Sequence, residues 1–213
     1  AEAFEKASGH KAVLAFGATG AFYAQIRNGA PFQVLLAADA KTPERLEQEG
    51  LAVAGTRFTY ATGQLALWGA DPGRVDAQGA VLRAGSFERL AIANPEHAPY
   101  GRAAREALQH VGAWEAVADK LALGENAAQA ARFGISGSTQ AAILPLSLLR
   151  ADEFAGKGAF VTLPESWHAP LRQRMALVKG AGETARRFYA HIQSAEARAI
   201  LAKHGFVLPD ADK

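Results

Sequence analysis

The sequence predicts an α/β fold. Short apolar runs alternate with segments of helical period from one end of the chain to the other. Capping residues and glycines punctuate the switches between them. The 213 residues are 49% apolar and 21% charged, a profile that can bury a sizeable core in one large domain or two small lobes.

Taken in order, residues 1–9 (AEAFEKASG) read as the end of an amphipathic helix with no strand before it. Strands are expected at Ala12–Phe16, Gln33–Ala37, Phe58–Tyr60, Gln64–Trp68, Leu90–Ala93, Ala141–Leu144, Ala159–Leu163 and Gln173–Val178, each an apolar run bounded by turn residues. Helices are expected at Gly20–Arg27, stopped by Asn28-Gly29, and at Pro43–Gln48, Arg102–Val111, Ala127–Phe133, Glu183–Ile192 and Ala195–Lys203. Ala104, Leu108 and Val111 share one side of the helix at Arg102. The last helix follows Ser194 and stops at His204-Gly205, with glycine as the expected C-terminal cap.

The composition excludes several classes of function. A net charge of +2 gives no footprint for nucleic acid or an acidic membrane. With no cysteine there is no disulfide, thiolate metal site or cysteine nucleophile. No apolar stretch has the length of a transmembrane helix. No signal-peptide pattern opens the sequence, so an exported form is expected to have lost its signal already.

Three helix starts carry the functional interest. Asn94-Pro95-Glu96-His97-Ala98-Pro99-Tyr100-Gly101 joins the run Leu90–Ala93 to a helix. Ala15-Phe16-Gly17-Ala18-Thr19-Gly20 joins Ala12–Leu14 to another, with Thr19 where an N-cap belongs. Glu125-Asn126-Ala127-Ala128-Gln129 opens a third, with Asn126 as N-cap and Gln129 three residues on, a variant of the capping box. The first N–H groups of a helix have no partner inside it, and the helix dipole adds positive charge there. Such a start binds an oxyanion without a cationic side chain. Each of the three alone also reads as a plain cap, and Arg102, Arg105 and Arg132 nearby read as solvated helix faces.

Catalytic motifs are weak. Gly134-Ile135-Ser136-Gly137-Ser138 approaches a nucleophile elbow, but serine replaces the last glycine and the segment precedes a strand instead of following one. The histidines at 10, 97, 110, 168, 191 and 204 are dispersed, with no metal-binding pair. Asp39 and Glu96 lack a sequence partner for acid–base work. Gly17 and Gly20 lack the rest of a dinucleotide fingerprint, and no phosphate loop is present. No enzyme and no cofactor are expected.

Several of these stretches resemble the periplasmic molybdate-binding proteins of bacterial ABC molybdate importers. They are AFGATGAFYAQI at 15–26, GAPFQVLLAAD at 29–39, GTRFTYATGQLALW at 55–68, NPEHAPYG at 94–101 and HGFVLP at 204–209. The resemblance implies a type II periplasmic-binding fold of two lobes joined by a two-stranded hinge. Lobe one would comprise residues 1–63 plus 177–213 and lobe two residues 64–176, with hinges near Gly63–Leu65 and Ala176–Val178. One tetrahedral oxyanion, molybdate or tungstate, would lie between the lobes, and molybdenum would enter only as that oxyanion. Thr19 matches a serine that donates its hydroxyl and its N–H; Tyr100 and Ala127 match backbone N–H donors; Ala18, Pro99 and Asn126 would be their neighbours in the cleft. Pro145 stands where some members place a tyrosine hydroxyl, so that contact is not expected. Gln33 replaces an acid usual after Gly-Ala-Pro, and Ala37 replaces a common serine.

The family's first strand carries further donors, and this sequence aligns from partway through the helix after it. Lobe one is therefore expected without that strand, about 20 residues in all. The implied partners are the membrane subunits of a molybdate permease, the implied location is the periplasm, and a monomer is expected if the fold is complete. The alternatives are a binder of another oxyanion such as sulfate, a cytosolic α/β enzyme using Ser136 or His97, and a remnant that pairs through open sheet edges.

Overall fold

The computed structural model describes residues 1–209; residues 210–213, assigned to lobe one from the sequence, lie outside the described residues. In chain order the elements are α1 (Glu2–Ser8), α2 (Thr19–Arg27), β1 (Val34–Ala37), α3 (Lys41–Gln48), β2 (Phe58–Gly63), β3 (Leu65–Gly69), α4 (Ala80–Ala84), β4 (Leu90–Ala93) and α5 (Pro99–His110). There follow α6 (Trp114–Val117), β5 (Leu121–Gly124), α7 (Ala127–Ile135), β6 (Ala141–Pro145), α8 (Leu146–Leu149), β7 (Ala159–Thr162), β8 (Leu171–Leu177), α9 (Glu183–Ile192) and α10 (Ala195–Lys203). The chain divides into two compact units. Unit one holds Ala1–Thr62, Arg172–Lys203 and the described residues from Val207 on; unit two holds Gly63–Leu171 and His204–Phe206.

Unit one is built on a three-stranded sheet in the order β1-β8-β2. β1 and β8 run antiparallel, with Leu35 opposite Ala176 and Ala37 opposite Arg174. Side chains alternate between faces along a strand. Leu35, Ala37, Ala176 and Val178 therefore pack on one face with Ile26 of α2 and Leu46 of α3. Leu177 and Val34 turn to the other face, against Ala181 and Ala185 at the start of α9. Gln33 anchors that start: its Oε1 accepts the N–H of Gly182 at 3.0 Å. The helix α10 begins where the sequence placed it, with Ser194 Oγ accepting from the Ala197 N–H at 3.2 Å.

One expected strand does not form. Residues 12–16 carry no strand assignment, and Val13 and Phe16 are 90% and 83% exposed. The run makes one backbone bond to a side chain, Ala12 N–H to Glu5 Oε1 at 2.8 Å. Its composition suits a strand, but a strand is held by a ladder partner and by packing on its faces. Among the described residues no neighbouring strand supplies either.

Unit two has a five-stranded sheet in the order β5-β4-β6-β3-β7. β4 lies parallel to β5 and β6, while β3 is antiparallel to β6 and β7. All four residues of β4 are at most 2% exposed. Strands buried on both faces read as unbroken apolar runs, which is how Leu90–Ala93 and Ala141–Leu144 appear in the sequence. Each fully buried leucine or isoleucine contributes about 2 kcal/mol through the area removed from water. Trp68 of β3 packs edge-on to Phe154, ring centroids 5.9 Å apart, and its Nε1 donates to Lys157 O at 2.7 Å. Thus the largest buried ring also satisfies its one polar atom.

α4 is held at its start by Asp76, whose two carboxylate oxygens accept the N–H groups of Ala80 at 2.8 Å and Val81 at 2.9 Å. Burial pushes the Asp76 pKa up, but backbone donors from Val81, Ala80, Gln78 and Gly79 outweigh it and hold the carboxyl below its ordinary value. The sequence reading missed α4, α6, α8 and β5, all of five residues or fewer.

Candidate functional site

In unit two, β4 and β5 are adjacent and parallel, with Ala93 opposite Gly124. Neighbouring strands lie about 4.8 Å apart. The chain leaves both at their carboxyl ends and enters a helix each time: α5 after residues 94–98, α7 after residues 125–126. Two helix starts thus come off the same end of the same sheet. That is where ligands bind in open α/β sheets.

The turn into α5 is tightly specified. Asn94 N–H continues the ladder to Gly124 O at 2.7 Å, and Asn94 Oδ1 accepts from Glu96 N–H at 3.0 Å. Ala98 is the N-cap residue and Pro99 the first helical one, so α5 begins three residues before the position expected from the sequence. Proline suits this place because its missing N–H has no helical partner to lose. Tyr100 stands in the first turn, and the N–H of Arg102 is the first to bond inside the helix, to Ala98 O at 3.0 Å. Gly101 lets the turn sit directly on β4: a Cβ there would fall 2.2 Å from Ala93 O.

α7 opens with the cap read from the sequence. Asn126 Oδ1 accepts from Gln129 N–H at 2.9 Å. Gln129 Oε1 reaches back one residue further than a standard capping box, accepting from the N–H of Glu125. The cap satisfies Gln129 and leaves the N–H groups of Ala127 and Ala128 without a partner among the described residues. Gly124 allows the close approach, since a Cβ there would meet Ala130 N at 2.5 Å. The two loops are tied by His97, whose Nε2 lies 3.1 Å from Glu125 O. His97 thereby bridges the two helix starts.

Unit one supplies the third helix start. Ala18 is the N-cap residue of α2, and Thr19 is its first helical residue, which corrects the expectation that Thr19 itself caps the helix. The difference matters for its hydroxyl. Thr19 Oγ1 accepts the N–H of Ala38, just beyond β1, at 3.1 Å, and bonds to no N–H of its own helix. Thr19 is 5% exposed and Ala18 6%. The first N–H to bond inside the helix is that of Phe22, to Ala18 O at 3.1 Å. Those of Thr19, Gly20 and Ala21 have no partner among the described residues.

The groups set aside as catalytic are engaged structurally. Ser136 and Ser138 hydroxyls lie 2.9 Å apart on the surface after α7, where Ser136 also bonds Phe133 O. Asp39 Oδ1 accepts from Thr42 N–H at 2.9 Å at the start of α3. Arg105 faces Glu96 at 3.5 Å in an exposed pair. Among the described residues no three His, Asp or Glu side chains gather as metal ligands. No described helix is long and apolar enough to cross a membrane.

A two-unit α/β chain in which α2 and α7 open with backbone donors that have no partner among the described residues has the build of a solute receptor, and comparison with known proteins agrees. The chain belongs to the bacterial extracellular solute-binding protein family, which matches residues 1–207. It is 44% identical to the molybdate-binding protein ModA of Azotobacter vinelandii, over 98% of this chain and 83% of that protein. It is 41% identical to ModA of Rhodobacter capsulatus, over 96% of this chain and 80% of the other. A solved structure of the Azotobacter vinelandii periplasmic molybdate-binding protein superposes with a TM-score of 0.93, covering 98% of this chain and 92% of that one at 35% identity. The sulfate-binding protein SubI of Mycobacterium tuberculosis shares the fold, with a TM-score of 0.80 at 16% identity.

Proposed function

We propose that this chain captures molybdate, and tungstate with it, in the periplasm and delivers it to the membrane subunits of an ABC importer. The observation that carries the reading is the pair of helix starts whose leading N–H groups have no partner among the described residues, Ala127 in α7 and Thr19 in α2. Thr19 would donate its hydroxyl and N–H, and Tyr100 and Ala127 their N–H groups, with Ala18, Pro99 and Asn126 shaping the surroundings. Two relatives above 40% identity are named for molybdate, which supports the choice of anion.

The chemistry suits a proton-free, doubly charged tetrahedral anion. Neutral N–H and O–H donors saturate its oxygens with charge-assisted bonds, and aligned peptide dipoles offset its charge. A site made only of donors leaves the hydroxyl of protonated phosphate without an acceptor and so disfavours it. Sulfate is smaller than molybdate and makes fewer of the bonds in a rigid site. The test is calorimetric titration of the chain with molybdate, tungstate, sulfate and phosphate. The expected result is tight binding of the first two and weak binding of the others. Sulfate binding as tight as molybdate binding contradicts the assignment.

A further inference from the structure

We propose that Tyr60 is a positioning residue that sets the Thr19 hydroxyl as a donor, acting through the peptide unit between Ala37 and Ala38. The inference rests on the oxyanion reading above and adds to it a buried relay within unit one.

Thr19 Oγ1 accepts the Ala38 N–H at 3.1 Å. A hydroxyl has one proton and two lone pairs. With one lone pair engaged by Ala38, the proton is turned away from that amide, and among the described residues it meets no acceptor. A hydroxyl so placed is fixed as a donor toward whatever anion arrives. The other end of the same peptide unit is held as well. Tyr60 Oη lies 3.4 Å from Ala37 O and donates to Gln173 Oε1 at 2.8 Å. The proton goes chiefly to Gln173, and the Ala37 carbonyl takes the lesser share.

The three residues come from three strands: Ala37 ends β1, Tyr60 lies on β2 and Gln173 on β8. Tyr60 and Gln173 are 7% and 4% exposed, so their polar atoms sit where an unmet bond is costly. Thr19 is 5% exposed. Buried bonds that share a peptide unit polarise one another, so the Ala37 carbonyl contact strengthens the Ala38 N–H as a donor to Thr19. The run therefore goes from Gln173 to Tyr60, through one peptide, to the hydroxyl that would meet the anion.

A purely structural role for Tyr60 would cost stability with no special dependence on Thr19. A double-mutant cycle separates the two roles. Molybdate affinity is measured by calorimetry for the wild-type chain, Tyr60→Phe, Thr19→Val and the double variant, with thermal melts as the folding control. Tyr60→Phe is expected to weaken binding roughly fivefold, and Thr19→Val roughly thirtyfold. In the Thr19→Val background, Tyr60→Phe should have no further effect. Gln173→Met, which keeps the tyrosine and leaves its proton to the Ala37 carbonyl, is run in the same cycle and should not reproduce the loss seen in Tyr60→Phe.

Equal fold losses from Tyr60→Phe in both backgrounds overturn the relay. So does unchanged affinity in Thr19→Val while the wild-type chain binds molybdate, a result that leaves the oxyanion reading standing on Ala127 and Tyr100. A wild-type chain that binds no tetrahedral oxyanion removes the reading and the relay together.

Discussion

Two apolar runs of this chain differ little in composition and end in opposite states. Leu90-Ala91-Ile92-Ala93 is an interior strand of the unit-two sheet, paired on both sides by β5 and β6 and at most 2% exposed. Ala12-Val13-Leu14-Ala15-Phe16 in unit one has no ladder, and Val13 stands 90% exposed. Both runs lead into a helix whose start is a candidate anion site. What separates them is neighbours. β4 has a parallel strand on each side and helices α5 and α7 packed on it; residues 12–16 have none of these among the described residues. Strand propensity is a statement about fit to a pleated, half-buried surface, and it is expressed only when that surface exists. The α5 start is therefore built on a rigid strand end. The α2 start is fixed from the other side, by α2 packing on α3 and by the bond from Thr19 to Ala38.

The contrast can be broken from the buried side. Ile92→Ala in β4 should cost about 3 kcal/mol, because the residue is fully buried and the cavity cannot collapse between paired strands. Chemical denaturation measures this, and a loss under 1 kcal/mol would show that β4 is not the core of unit two. Gly101→Ala should cost about 2 kcal/mol, since its new methyl meets the backbone of Ala93 and must push the first turn of α5 off the strand end. The same variant should bind molybdate more weakly, and calorimetry reads that loss separately from the melt. Phe16→Ser should change stability by less than about 0.5 kcal/mol, as befits an exposed side chain. A loss above about 1 kcal/mol in that variant would mean that residues 12–16 are covered in solution.

Much of the architecture was legible where the chain obeys local rules. β4 and the helices α9 and α10 appear at the bounds that their sequence patterns suggest. Asn126 and Gln129 announce the α7 cap three residues apart, and the structure makes that bond. β5 escaped notice for a physical reason: Leu121-Ala122-Leu123-Gly124 is a short edge strand with only Gly124 fully buried, so its pattern is faint. The early start of α5 was hidden by Pro99, which reads as a breaker but is well placed as a first helical residue. The features that orient candidate donors were invisible, because they join residues far apart in sequence. Thr19 meets Ala38 across 19 positions, His97 meets Glu125 across 28, and Tyr60 meets Gln173 across 113. A sequence pattern reports periodicity and caps; it does not report which distant backbone amide a hydroxyl will accept from.

The central claim is that backbone N–H groups at helix starts hold the anion, and Ala127 allows that to be tested almost in isolation. It is the first residue of α7, where proline is well tolerated, and the preceding Asn126 has the extended backbone that proline requires, with φ −151° and ψ 175°. Ala127→Pro thus deletes one donor and leaves the helix and its cap in place. The measurement is calorimetric titration of molybdate into the wild-type chain and into Ala127→Pro, alongside their melting curves. The account predicts tight binding by the wild type, a loss of roughly tenfold or more in the variant, and nearly unchanged melting. Equal affinity in the two proteins would contradict it.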